Sequence, residues 1–160
     1  MNKRSLNWIN SAGRSLAAAF PELYSDDCLY LTERVCSVLL QRLPPDVSLS
    51  LIALLPENHD LPAQQYTKLL IAARQEPDLS IGYPAMVDQV IRSVHEPKDL
   101  HARQEMLQPD YFNRVTDYVL WAFATEIPSD LKVKLSDHLP VDIRTRMNLY
   151  SGQSEEAKVA

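Results

Sequence analysis

Four histidines and two cysteines are the residues to test first for chemistry. The histidines are His59, His95, His101 and His138. A helical metal site places its ligands three or four residues apart, on one face, and no such His-x-x-x-His or Glu-x-x-His pair occurs. His95 and His101 flank Pro97, with Glu96 and Asp99 between them. That arrangement suits a loop-borne metal site less well than it suits ordinary exposed loop histidines. Cys28 and Cys36 fall on one expected helix. A rise of about 1.5 Å per residue separates them by roughly 12 Å, too far for a disulfide. A nucleophilic Cys36 needs an exposed, electropositive setting and a nearby histidine, whereas its neighbours Val35, Val38 and Leu39 predict a buried face. Gly13, Gly82 and Gly152 are scattered singly, so no glycine-rich phosphate loop exists. The carboxylate pairs Asp26-Asp27 and Glu155-Glu156 read as a helix start and a polar tail. The expectation is no catalytic residue, no metal and no cofactor: not an enzyme.

The elements that carry these residues are expected to be helical. Of 160 residues, 46% are hydrophobic and 23% charged, ordinary for a soluble globular chain. Eleven prolines against three glycines are not ordinary. Hairpin turns consume glycine, while prolines start and stop helices, so the composition predicts an all-α fold. The net charge of −5 offers no global attraction to nucleic acid. No run of 18 apolar residues suits a transmembrane segment. Two unpaired thiols point to a reducing, cytoplasmic setting. Lys3, Arg4 and Arg14 stand ahead of the first acid, Glu22. A targeting peptide would show this, but Leu6, Ile9, Leu16 and Phe20 make the stripe of an amphipathic helix, and Arg14 interrupts any signal-type apolar core. Contact of that helix with a membrane surface is a minor possibility.

Proline and polar punctuation divides the chain into helices over about 6–20, 26–43, 45–55, 62–74, 84–95, 99–108 and 110–127, then a short helix from 129 and a last one after Pro140. Ser25, Asp26 and Asp27 supply cap oxygens and negative charge for the second helix. The 75–82 stretch, with Pro77 and Gly82, is the expected seam between two halves, residues 1–76 and 77–150. Residues 151–160 are small and polar and predict a flexible tail.

Segments 31–56 and 115–140 align without a gap at an offset of 84. Thr32/Thr116, Val35/Val119, Pro44/Pro128, Asp46/Asp130, Leu51/Leu135, Leu55/Leu139 and Pro56/Pro140 are identical, and Leu43/Ile127 and Val47/Leu131 keep their character. The pattern reads as an internal repeat, giving a duplicated helical bundle of two similar halves, each of about four helices. Leu43-Pro44-Pro45-Asp46 through Leu54-Leu55-Pro56, and Ile127-Pro128-Ser129-Asp130 through His138-Leu139-Pro140, followed by Val141-Asp142-Ile143-Arg144, resemble the bacterial domain of unknown function 2267 family. The family pattern expects Gln before each closing Leu-Pro, where this chain has Leu54 and His138. The resemblance implies an all-helical duplicated bundle and no settled activity.

Two features suit binding. Tyr111, Phe112, Tyr118, Trp121 and Phe123 crowd into one helix. Phe112, Val119 and Phe123 suffice for its buried face, while Tyr118 and Trp121 share another face at i, i+3. Burial on all sides, or a hot-spot anchor for a partner or apolar ligand, would each explain them. The copies also diverge: Ile52 and Leu54 stand where the twin has Ser136 and His138, and Ser48 and Ser50 where it has Lys132 and Lys134. Packing against the fourth helix would absorb Ile52 and Leu54; left exposed, they would make a docking patch. The function expected is therefore a non-catalytic interaction module, an adaptor, assembly factor or regulator presenting a helical face to a protein partner through Ile52, Leu54, Tyr118 and Trp121. The alternative is a helical carrier holding an apolar molecule or pigment between the halves, near Trp121 and Phe123.

Overall fold

Every element that the computed structural model describes is a helix. It describes residues 7–55, 63–74, 82–94 and 108–147. Lys3, Arg4, most of the expected seam and of the helix over 99–108, His59, His95, His101 and the tail lie outside those residues. The helices are α1 (Trp8–Ala19), α2 (Ser25–Leu40), α3 (Pro45–Ala53), α4 (Ala63–Ala73), α5 (Tyr83–Ser93), α6 (Pro109–Glu126), α7 (Ser129–His138) and α8 (Val141–Arg146). No described helix is long and apolar enough to cross a membrane.

Proline sets the boundaries. Pro45, Pro84 and Pro109 occupy the first turns of α3, α5 and α6, where a missing N–H has no intrahelical use. Pro44, Pro128 and Pro140 stand immediately before α3, α7 and α8 in extended backbone. Asp46, Asp110, Asp130 and Asp142 fall in the first turns that follow, where negative charge complements the helix dipole. The start of α2 differs from expectation. Its cap position is Tyr24, whose side chain makes no capping bond to the helix, and Ser25 is already helical. Asp26 and Asp27 therefore act through the dipole rather than as caps.

The central helix is α2, which α1, α4, α5 and α6 all contact. Its sequence predicts one apolar face, but every residue from Tyr30 to Leu40 is buried. Surrounding helices cover the polar positions as well, so Glu33, Arg34 and Ser37 satisfy one another. Arg34 Nε donates to Glu33 Oε1 at 2.9 Å, Nη2 bonds Oε2, and Ser37 Oγ donates to Oε2 at 2.6 Å. Pairing of this kind offsets the cost of removing polar groups from water.

Trp8 ties three elements together. Its ring is wholly buried, its indole N–H donates to Leu51 O of α3 at 2.8 Å, and it meets Phe123 of α6 edge-on at 5.0 Å. Packing crosses the expected seam repeatedly: α1 lies on α2 and α6, α5 lies on α6 and α2, and α3 meets α7. Residues 1–76 and 77–150 consequently share one continuous hydrophobic core, running from Trp8 to Met147. At the far end, Asp142 of α8 accepts from Tyr83 N at 2.8 Å and so caps α5. Gly82 permits that approach, since a Cβ there would sit 2.9 Å from Asp142 Oδ2.

Candidate functional site

The residues expected to bind separate into two fates. Ile52 is 5% exposed and belongs to the core, and Leu54 is half-buried against it. The physical reason is that α3 lies between α4 and α7, so these two side chains form no open docking patch. Their counterparts Ser136 and His138 are buried and half-buried as well. Tyr118 and Trp121 are different. Tyr118 is half-buried, and Trp121 remains 44% exposed on the outer side of α6.

The local sequence explains this split. Phe112, Val115, Val119, Ala122 and Phe123 turn inward, which is one stripe of an 18-residue helix. Residues 118 and 121 fall beside that stripe, one turn apart. Their rings touch at a centroid distance of 5.6 Å, and Tyr118 meets Phe20, from the end of α1, edge-on at 6.1 Å. Phe20 in turn packs against Tyr111 at 5.6 Å. Arg114 lies over both Phe20 and Tyr111, at 5.3 and 5.5 Å, a cation–π geometry. On the other flank, Arg146 of α8 sits 3.7 Å over the Tyr83 ring and 3.3 Å from Asp117 Oδ1. Together Phe20, Arg114, Asp117, Tyr118, Trp121 and Arg146 line a shallow shelf of about 440 Å³.

Titration here is tuned for structure. Tyr111 Oη donates to Glu22 Oε2 at 2.6 Å. That bond, more than any other influence, holds the Glu22 carboxyl below its ordinary range. Burial, then the same bond, pushes the Tyr111 phenol up. Burial, helped by Asp117, also raises Tyr83 against the opposing pull of Arg146. An acid moved further down and phenols moved further up leave neutrality, whereas general acid–base work favours groups poised near it. The shelf offers rings, two guanidinium edges and one carboxylate. Such a surface can grip an apolar side chain while bonding the carbonyls or carboxylates around it.

Both thiols are buried and free. Burial, followed by Asp27 and Glu22, pushes Cys28 up to about 11, and burial followed by Glu33 pushes Cys36 up as well. Neither sits as a ready thiolate. Among the described residues no group of three or more His, Cys, Asp or Glu is placed to hold a metal ion.

Sequence reasoning did not anticipate Phe20, Arg114 or Arg146 at this shelf. Arg114 is four residues before Tyr118, so the helical period carries a signal for it. Phe20 and Arg146 arrive from distant helices, and only tertiary packing joins them to α6. Comparisons with family models, curated proteins and solved structures find no match.

Proposed function

We propose that this chain is a non-catalytic protein-interaction module whose working face is the Tyr118–Trp121 shelf. The observation that carries the reading is Trp121, the residue type most enriched in binding hot spots, left 44% exposed beside a ring it already touches. Two arginines at the edges supply directional donors, and Arg is enriched at interface cores for that reason. The partner feature that fits is an apolar side chain flanked by carbonyl or carboxylate oxygens. The carrier reading finds less support, because Trp8 fills the space against Phe123 between the expected halves.

The fold is a duplication on this reading, with α2 and α3 answering to α6 and α7. The reciprocal packing supports it: α1 lies on α2 and α6 as α5 lies on α6 and α2, while like meets like in α2–α6 and α3–α7. The resemblance to the domain of unknown function 2267 family belongs to the same proposal and adds no activity. A cytoplasmic home is consistent with two free buried thiols.

Capture from native lysate tests the function, with wild type beside Trp121→Ala. The exposed position makes loss of fold an unneeded explanation, and circular dichroism verifies it. A stoichiometric protein retained by wild type and lost by the folded variant is the expected result. Identical captured proteins in both samples would defeat the reading.

A further inference from the structure

Among the described residues, two of the exposed large apolar side chains are aromatic: Trp121 at 44% and Tyr24 at 63%. The first is the anchor of the shelf. The second occupies the N-cap of α2 and makes no capping bond there. Cap positions favour Ser, Thr, Asp or Asn, whose oxygens satisfy the first amides of a helix. A tyrosine at that place forgoes the bond and sets a ring in water instead, a local departure of the kind that accompanies function.

The chain places both rings along one path. Leu23 is buried and its N–H donates to Phe20 O at 3.0 Å, which folds the end of α1 into a tight turn. Glu22 in that turn accepts from Tyr111 at 2.6 Å, which fastens it to the start of α6. Phe20 lines the shelf and leads through Tyr118, at 6.1 Å, to Trp121, a further 5.6 Å on. Tyr24 follows Phe20 by four residues, and its exposure shows that it does not fill the shelf of its own chain. A surface that carries both a socket and a matching ring suits a two-fold pair, in which residue i of one copy meets j of the other and j meets i.

Charge fits the same pairing. Arg114 and Arg146 line the shelf with one carboxylate, Asp117, which lies 3.3 Å from Arg146. Tyr24 stands within 22–27, a stretch of three carboxylates and no cation. Glu22 is engaged by Tyr111 and lies in the field of Arg114 of its own chain, and Asp27 is buried. Asp26 is exposed, with Arg14 of α1 lining the same depression. Across a two-fold axis, Asp26 beside Tyr24 is the carboxylate for Arg114 beside the shelf. Pairs of that kind at a rim fix register, while the rings supply the burial. The net charge of −5 repels copies at long range, an effect that 0.15 M salt confines to about 8 Å.

We infer that the partner of the shelf is a second copy of this chain, in a two-fold dimer that lays Tyr24 of each protomer on the partner's Trp121. The inference rests on the shelf being a docking face, and names what docks there. Tyr24 is a ring flanked by carboxylates, the feature that the rings and guanidinium edges of the shelf select.

Sedimentation velocity of the full chain tests it, over about 1–500 µM protein in about 0.15 M salt. A reversible monomer–dimer equilibrium is expected. Trp121→Ala and Tyr24→Ser should each weaken the dimer by at least about tenfold, because either substitution removes both ring contacts. Both side chains are exposed and serine is itself a favoured N-cap, so the variants should fold, which circular dichroism verifies. The decisive sample mixes the two variants in equal amounts. One Trp121 and one Tyr24 then still meet, so the mixture should dimerise more tightly than either variant alone. A chain that stays monomeric to about 500 µM, a dimer indifferent to both substitutions, or a mixture no tighter than its parts would each overturn the inference. So would growth beyond the dimer, which marks a head-to-tail contact. A monomeric chain would leave the docking reading intact, because lysate capture with Trp121→Ala tests that separately.

Discussion

Two side-chain environments define the chemistry at the residue scale: thiols buried in the core and a phenol bonded to a carboxylate at the surface. Cys28 and Cys36 are buried with raised thiol pKa values, so both should resist a thiol reagent in the native protein at neutral pH. Both should react fully in denaturant, and absorbance of the released chromophore counts them. The Tyr111–Glu22 bond predicts a pH dependence of definite sign. Glu22 is held below its ordinary 4.5, so the bond stabilises the fold above that value. The contribution disappears as pH falls through the depressed native value. The stability difference between wild type and Tyr111→Phe, measured by urea melts, should therefore be present at pH 7 and shrink below pH 4.5. The burial of the cysteines was legible, because Val35, Val38 and Leu39 outline an apolar helix around Cys36. The Glu22 bond was not, since Glu22 and Tyr111 are far apart in sequence and no local pattern joins them.

At the scale of the helix, boundaries were readable and faces less so. Pro44, Pro109, Pro128 and Pro140 mark helix starts through covalent geometry, which tertiary packing does not override. The inward stripe of α6, from Phe112 to Phe123, follows from its period. The full burial of α2 does not, because a sequence period names an apolar face but cannot tell whether neighbours also cover the polar one. Glu33 is the consequence. Glu33→Ala leaves the Arg34 guanidinium buried without its carboxylate, and should cost about 3–5 kcal/mol, read as a lower urea midpoint. Double replacement with Arg34→Met should recover part of that loss. The α8–α5 cap was equally hidden, since Gly82 looked like a seam residue. Gly82→Ala puts a Cβ against Asp142 Oδ2 and weakens its bond to Tyr83 N. A loss of about 1–2 kcal/mol is expected, and Asp142→Ala should remove most of the further effect.

Across the whole molecule, the all-helical class was legible from proline and glycine usage, whereas the division of surface from core was not. Ile52 and Leu54 appeared as candidates for an exposed patch because α3 alone cannot show that α4 and α7 enclose it. Trp121 stays outside because α1 contributes only its end, Phe20, beside Tyr118 and no helix covers the shelf among the described residues. The account's central claim is that this uncovered ring is a docking anchor. The direct measurement replaces Trp121 with a photoreactive phenylalanine derivative and irradiates the protein in native lysate, with Val133, an exposed position on α7, carrying the same group as control. The account predicts one dominant cross-linked protein from position 121 that position 133 does not capture. No discrete product from 121, or the same products from both positions, would contradict it.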